Sequence, residues 1–292
     1  MANELLQTNT FKVVGNLVKA DTALRTNPDN GEQSISVTAT VVSVVENKSN
    51  EFTIRLYSKA LTKDGKPNGL YASYSKLSEL EGHKIEISGS LSENRYYSTN
   101  AEQMVSAVVL SGRWVKSVPV TTPDEATFTI GGFVITEVTQ KVNKSNEIYR
   151  YDVAIAQSNY NGDNISVFNL NIDPNNIDVL NGVKSYRMGD TVKVMGDLSS
   201  VVETRTVEDT TAGFGKKIFN TFTNTYRGYY ITAGSNPITD EKSYDGQTIS
   251  RLVAAYKAKD VELMNAAKTK TVAAHANNNP TPVVSARQTS LI

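Results

Sequence analysis

Apolar and polar residues alternate along most of this chain with the two-residue period of a strand, and the pattern is written twice. Thr10-Phe11-Lys12-Val13-Val14-Gly15-Asn16-Leu17 returns 117 positions later as Thr127-Phe128-Thr129-Ile130-Gly131-Gly132-Phe133-Val134. Lys84-Ile85-Glu86-Ile87-Ser88-Gly89-Ser90-Leu91 returns 107 positions later as Thr191-Val192-Lys193-Val194-Met195-Gly196-Asp197-Leu198. Each copy keeps an apolar–x–apolar–x–Gly core, and a glycine inside a strand marks a bulge or a tight barrel corner.

The alternation predicts strands over 10–19, 33–45, 51–58, 84–92 and 103–115, with a short helical turn over 73–80. The second set is expected over 127–138, 148–156, 165–172, 190–202 and 218–233, with a turn over 174–183. Three strands, a connector holding a short helix and a closing hairpin are the order of the OB-fold, a five-stranded Greek-key barrel. A pair of β-sandwich domains also suits short alternating strands, but does not call for the helix before the fourth strand. The expected architecture is mainly β. Two tandem OB-fold barrels, over 1–118 and 119–239, precede a C-terminal helix and a disordered tail within 240–292.

Val115 to Asp124 contains two prolines and reads as the linker. Asn47-Lys48-Ser49-Asn50-Glu51 recurs verbatim as Asn143-Lys144-Ser145-Asn146-Glu147, and both copies read as solvent-facing hairpin turns. Beyond 240, Ile249, Leu252, Val253, Tyr256, Leu263, Met264 and Ala267 recur at helical spacing, predicting a helix over 247–271 that packs on the second barrel. Residues 274–292 are polar and proline-containing, the composition of a disordered tail.

Composition removes several functions. The 292 residues contain no cysteine, and His83 and His275 are the only histidines, so thiolate and histidine metal centres are not expected. No Walker loop, dinucleotide fingerprint or HExxH motif is present, and the aspartates are scattered, which points away from an enzyme and from any cofactor. No run of 18 apolar residues occurs and the N-terminus lacks a signal-peptide pattern, so the expectation is a cytoplasmic protein without membrane contact. Net charge is zero from 30 basic and 30 acidic residues, so a polyanion ligand requires positive charge gathered locally on one face.

The candidate face lies on the strand Phe52-Thr53-Ile54-Arg55-Leu56-Tyr57-Ser58-Lys59. Phe52, Ile54 and Leu56 share the inward parity, leaving Arg55, Tyr57 and Lys59 outward on the second and third strands, where OB-folds bind oligonucleotides. A ring stacked on a base is worth about 1–3 kcal/mol, and the cations meet phosphates. Lys63, Tyr71 and Tyr74 follow in the connector, where the tyrosines either flank that surface or cap the barrel bottom. Arg95, Tyr96 and Tyr97 occupy the tip between the last two strands. Trp114, beside Arg113, reads as core or interdomain packing. In the second barrel, Phe168, Leu170 and Ile172 point inward and Val167, Asn169 and Asn171 outward. Its candidates are Arg150 and a glycine-flanked finger with Phe214, Lys216 and Lys217. Phe222, Tyr226 and Tyr230 share one face of the last strand, Phe219, Tyr229 and Ile231 the other, and one of these must meet another surface.

The paired strand starts, the paired Gly-x-Leu turns and the Tyr/Lys/Arg-rich hairpins resemble tandem OB-fold single-stranded DNA-binding proteins. The Asn- and Ser-rich, cysteine-free style is similar to those of large bacteriophages. The resemblance covers roughly 10–235 and implies sequence-tolerant coating of single strands in replication and recombination, without a cofactor, in the host cytoplasm for a phage protein. Replication or recombination proteins would be further partners. The chain departs from the pattern in ending Ser285-Ala286-Arg287-Gln288-Thr289-Ser290-Leu291-Ile292, where bacterial relatives carry an acidic recruiting tail. A virion assembly module and an oligosaccharide-binding barrel are the alternative readings of the same fold.

Overall fold

The computed structural model describes residues 6–208 and 219–277. The expected finger residues Phe214, Lys216 and Lys217, and the tail beyond Asn277, lie outside the described residues. The first barrel consists of β1 (Asn9–Thr26), β2 (Gln33–Val45), β3 (Lys48–Lys59), α1 (Gly69–Tyr74), a 3-10 turn (Leu77–Leu80), β4 (Lys84–Ser98) and β5 (Gln103–Ser117). The second repeats it with β6 (Glu125–Val134), β7 (Thr139–Val142), β8 (Ile148–Ser158), β9 (Ile165–Ile172), α2 (Ile177–Lys184), β10 (Thr191–Glu208) and β11 (Phe219–Gly234). Helix α3 (Gly246–Asn277) follows. Among the described residues no helix is long and apolar enough to cross a membrane.

Both barrels close in the OB order. β1 pairs with β4 over Phe11–Asn16, then crosses to β2 over Asn16–Thr26, while β3 meets β5 in parallel at Ile54–Leu110. In the second barrel β6 pairs with β10 and then β8, and β9 meets β11 in parallel at Asn171–Tyr230. Asn68 and Asn176 start α1 and α2 by accepting the Leu70 and Val179 amides on their side-chain oxygens.

The repeated glycines sit where the strands cross. A Cβ on Gly15 would lie 2.3 Å from the Val42 carbonyl oxygen, and on Gly132, its counterpart, 2.1 Å from that of Ala156. On Gly89 it would lie 2.0 Å from the Ser111 oxygen, and on Gly196 1.9 Å from that of Tyr230. Close backbone approach, rather than a special dihedral, is what each corner needs from glycine.

The two barrels are not beads on a string. β1 pairs antiparallel with β6, from Asn9–Ile130 to Val14–Glu125, so a single eleven-stranded sheet runs through both. Phe11, Val13, Phe128 and Ile130 belong to one continuous core. The segment that reads as a linker is tied down: the Val118 amide donates to the Lys84 carbonyl, and Lys84 pairs with Asp124. Asn50 adds a second joint, since its buried side chain accepts the Ser200 amide at 2.9 Å. The first Asn-Lys-Ser-Asn-Glu copy is therefore more than a solvent-facing turn. The second matches expectation, with Asn143 accepting the Ser145 and Glu147 amides of its own turn.

Helix α3 packs on the second barrel, as its periodicity predicts, and extends past 271 through Ala273, Ala274 and Ala276, strong helix formers. Asp245 starts it by accepting the Thr248 amide at 2.7 Å, which holds its carboxyl below the usual range. Leu252 is buried against Phe133, Ala154, Ala156, Ile165 and Val167, with Ile249, Val253 and Tyr256 at the margin. Tyr244 completes the lid, its ring 4.9 Å from that of Phe133 and its hydroxyl donating to the Leu6 carbonyl at 2.9 Å.

Candidate nucleic-acid interface

Strand β3 is two-faced as its alternation requires. Phe52, Ile54 and Leu56 are buried, while Thr53, Arg55, Tyr57 and Lys59 stand outward. Tyr57 is 60 % exposed, so its ring is available on one side rather than packed away. Register places Thr38 opposite Arg55, Ser36 opposite Tyr57 and Ser34 opposite Lys59 on β2, with Arg25 of β1 beside Ser34. Small hydroxyl side chains thus flank the aromatic and cationic row, leaving the ring accessible. Lys59 is the restrained member: Glu32 holds its ammonium at 2.9 Å and keeps its pKa raised, so it stays charged but already has a carboxylate partner. Arg55 and Arg25 have no ion pair among the described residues.

Arg55 also lines a cleft between the barrels that holds about 490 Å³ of open space. Phe52, Thr53, Val108, Val109 and Leu110 form the first-barrel wall, and Leu198, Ser199, Ser200, Arg227 and Tyr229 the second. The Tyr229 hydroxyl reaches the Val108 carbonyl at 3.4 Å, and burial pushes its pKa up to about 12, so it remains a neutral donor. Tyr229 and Ile231 take the packed face of β11, while Tyr226 on the other face is exposed.

Several expected ligand contacts serve the fold instead. Tyr74 is 1 % exposed and donates to the Arg113 carbonyl at 2.6 Å, and Tyr71 packs half-buried on the same core; these two cap the barrel bottom. Lys63 is exposed in the turn after β3. The β4–β5 tip does not hang free over a ligand. Arg95 pairs with Asp260 of α3 and lies 3.7 Å from the Tyr256 ring centroid, and Tyr97 is half-buried with the Lys268 ammonium 5.8 Å away. Tyr96 alone of the three is exposed. Glu93 anchors this contact: its carboxylate, 4 % exposed, accepts the Tyr256 hydroxyl at 2.6 Å and the Val167 amide at 2.9 Å. Tyr256→Phe is accordingly expected to cost about 1.5 kcal/mol in urea unfolding, because it leaves a desolvated carboxylate short of a donor.

In the second barrel the equivalent of the β2–β3 surface is closed. Ala154, Ala156 and Val167 lie beneath α3, and Arg150 is paired with Asp152 at 3.0 Å. Trp114 reverses the sequence expectation: it is 59 % exposed on β5, with the Arg113 guanidinium 5.3 Å from its ring. Among the described residues no group of His, Asp or Glu side chains could hold a metal ion.

A family model described as YorF matches residues 7–268. The chain belongs to the YorF family. A comparison of this YorF-family chain with curated proteins finds no match. Among solved structures it is similar to the wild-type single-stranded DNA-binding protein from Thermus aquaticus. The TM-score is 0.51 at 12 % identity, over 83 % of this chain and 98 % of that one. A deletion and point variant of the same Thermus aquaticus protein gives 0.48 at 13 % identity, with the same coverage of both chains. At such identity the likeness to the wild-type protein is one of fold, and it agrees with the strand order above.

Proposed function

We propose that this protein binds single-stranded DNA without sequence preference, along the β2–β3 face of the first barrel. The observation that carries the reading is Tyr57, an exposed ring between Arg55 and Lys59 on an otherwise small and hydroxylated strand face. Bases stack on the ring, whose face is indifferent to sequence, and the guanidinium meets the backbone. The fold shared with a protein named for single-stranded DNA binding supports the reading. Zero net charge weighs against a general polyanion binder, so the attraction must come from the local row of Arg25, Arg55 and Lys59. Coating of single strands during replication or recombination, of phage DNA in the host cytoplasm, is the role that goes with this chemistry.

The test is a titration of oligo-dT and of duplex of equal length, followed by quenching of Trp114 and tyrosine fluorescence. Oligo-dT is expected to bind at low micromolar concentration or tighter and to weaken steeply with salt. Equal or better duplex binding, or no binding of either, would rule the function out.

A further inference from the structure

We propose that the cleft between the barrels is a phosphate clamp, in which Arg55 and Arg227 hold the backbone of a strand passing from the β3 face to the second-barrel wall formed by Leu198 to Ser200 of β10 and Arg227 of β11. This rests on the single-strand reading above and extends it to a surface outside the β2–β3 face. Three observations support it independently of Tyr57.

The first is charge. Arg55 comes from the first barrel and Arg227 from the second, both line the cleft, and no acidic residue lines it with them. Neither guanidinium has an ion pair among the described residues. Other cations of this chain do have partners, Lys12 with Glu125, Lys116 with Glu86 and Arg150 with Asp152. Two like charges brought to one cleft repel each other, and an anion between them turns that repulsion into attraction. The second is donor supply. Thr53, exposed on β3, lines the same space and brings its hydroxyl to the first-barrel wall beside Arg55. The third is rigidity. The Asn50–Ser200 joint and the Tyr229–Val108 contact fix one wall against the other, so the strands that carry the two arginines are set in place before a ligand arrives. A phosphodiester fits this donor set: it offers charge to the guanidiniums and an oxygen to the Thr53 hydroxyl, and it requires no base identity.

The experiment measures oligo-dT affinity across a salt series for the full chain, Arg227→Ala, Arg227→Lys and Tyr57→Ala, with melting temperatures as a check on folding. Arg227→Ala is expected to weaken binding about fivefold and to reduce the slope of log K against log salt by about 0.7, the share of one phosphate on a single strand. Arg227→Lys is expected to keep the slope. If Arg227→Ala binds as tightly as the parent while Tyr57→Ala does not, the clamp is wrong and the β3 face stands. If Arg227→Ala weakens binding with an unchanged slope, the contact is not to phosphate and the clamp is again overturned. If the parent protein itself binds no single strand, clamp and function fall together.

Discussion

Gly196→Ala is expected to destabilise the protein by more than about 4 kcal/mol, a loss reserved for substitutions that break a specific structural requirement. The added Cβ would sit 1.9 Å from the Tyr230 carbonyl oxygen and 2.9 Å from the Ile231 Cα, both main-chain atoms of the paired strand. A side chain could rotate away; a backbone carbonyl in a ladder cannot move without breaking the pairing of β10 with β11. Gly89→Ala should behave alike in the first barrel, against Ser111. Gly182→Ala, a helical site with nothing within 4 Å of the added atom, is the control and should be neutral or slightly stabilising. Urea unfolding followed by circular dichroism reads all three. A loss under about 1 kcal/mol for Gly196→Ala would show that the crossing strands relax more easily than a close-packed barrel allows.

The combined Arg55→Ala and Tyr57→Ala substitution is expected to weaken oligo-dT binding at least tenfold while leaving the melting temperature unchanged. The ring alone is worth about 1–3 kcal/mol if a base stacks on it, and the guanidinium adds a phosphate contact. Both side chains stand on the outer face of β3, so their removal opens no cavity in the core. Fluorescence anisotropy with labelled oligo-dT is the measurement. An affinity within twofold of the parent would remove the β3 face from the mechanism.

The parts of this structure that were legible in the sequence are those written in local periodicity. Strand order, the inward parity of Phe52, Ile54 and Leu56, and the stripe of Ile249, Leu252 and Val253 all follow from spacing. What alternation cannot show is which outward face is covered by something distant in the chain. Val167 has outward parity on β9, yet α3 buries it. Arg95 reads as a loop cation, and only the fold brings Asp260, 165 residues away, to meet it. Arg227 carried no signal because its importance depends on a cleft wall from the other barrel. One clue was available. Val14 breaks the alternation beside Val13, and it is buried despite its outward parity, on the strand that pairs with β6. Trp114 shows the opposite error, since a large aromatic on a strand argues for packing only where some neighbour exists to cover it.

The β1–β6 pairing has a consequence for any ligand that touches both barrels. Modules joined by a floppy tether search for their second contact and gain from proximity, which falls off as the tether lengthens. Here main-chain hydrogen bonds replace the tether, so the separation of the two contact points is set like a gauge and does not adjust to the guest. A bound polymer must therefore supply the bending itself.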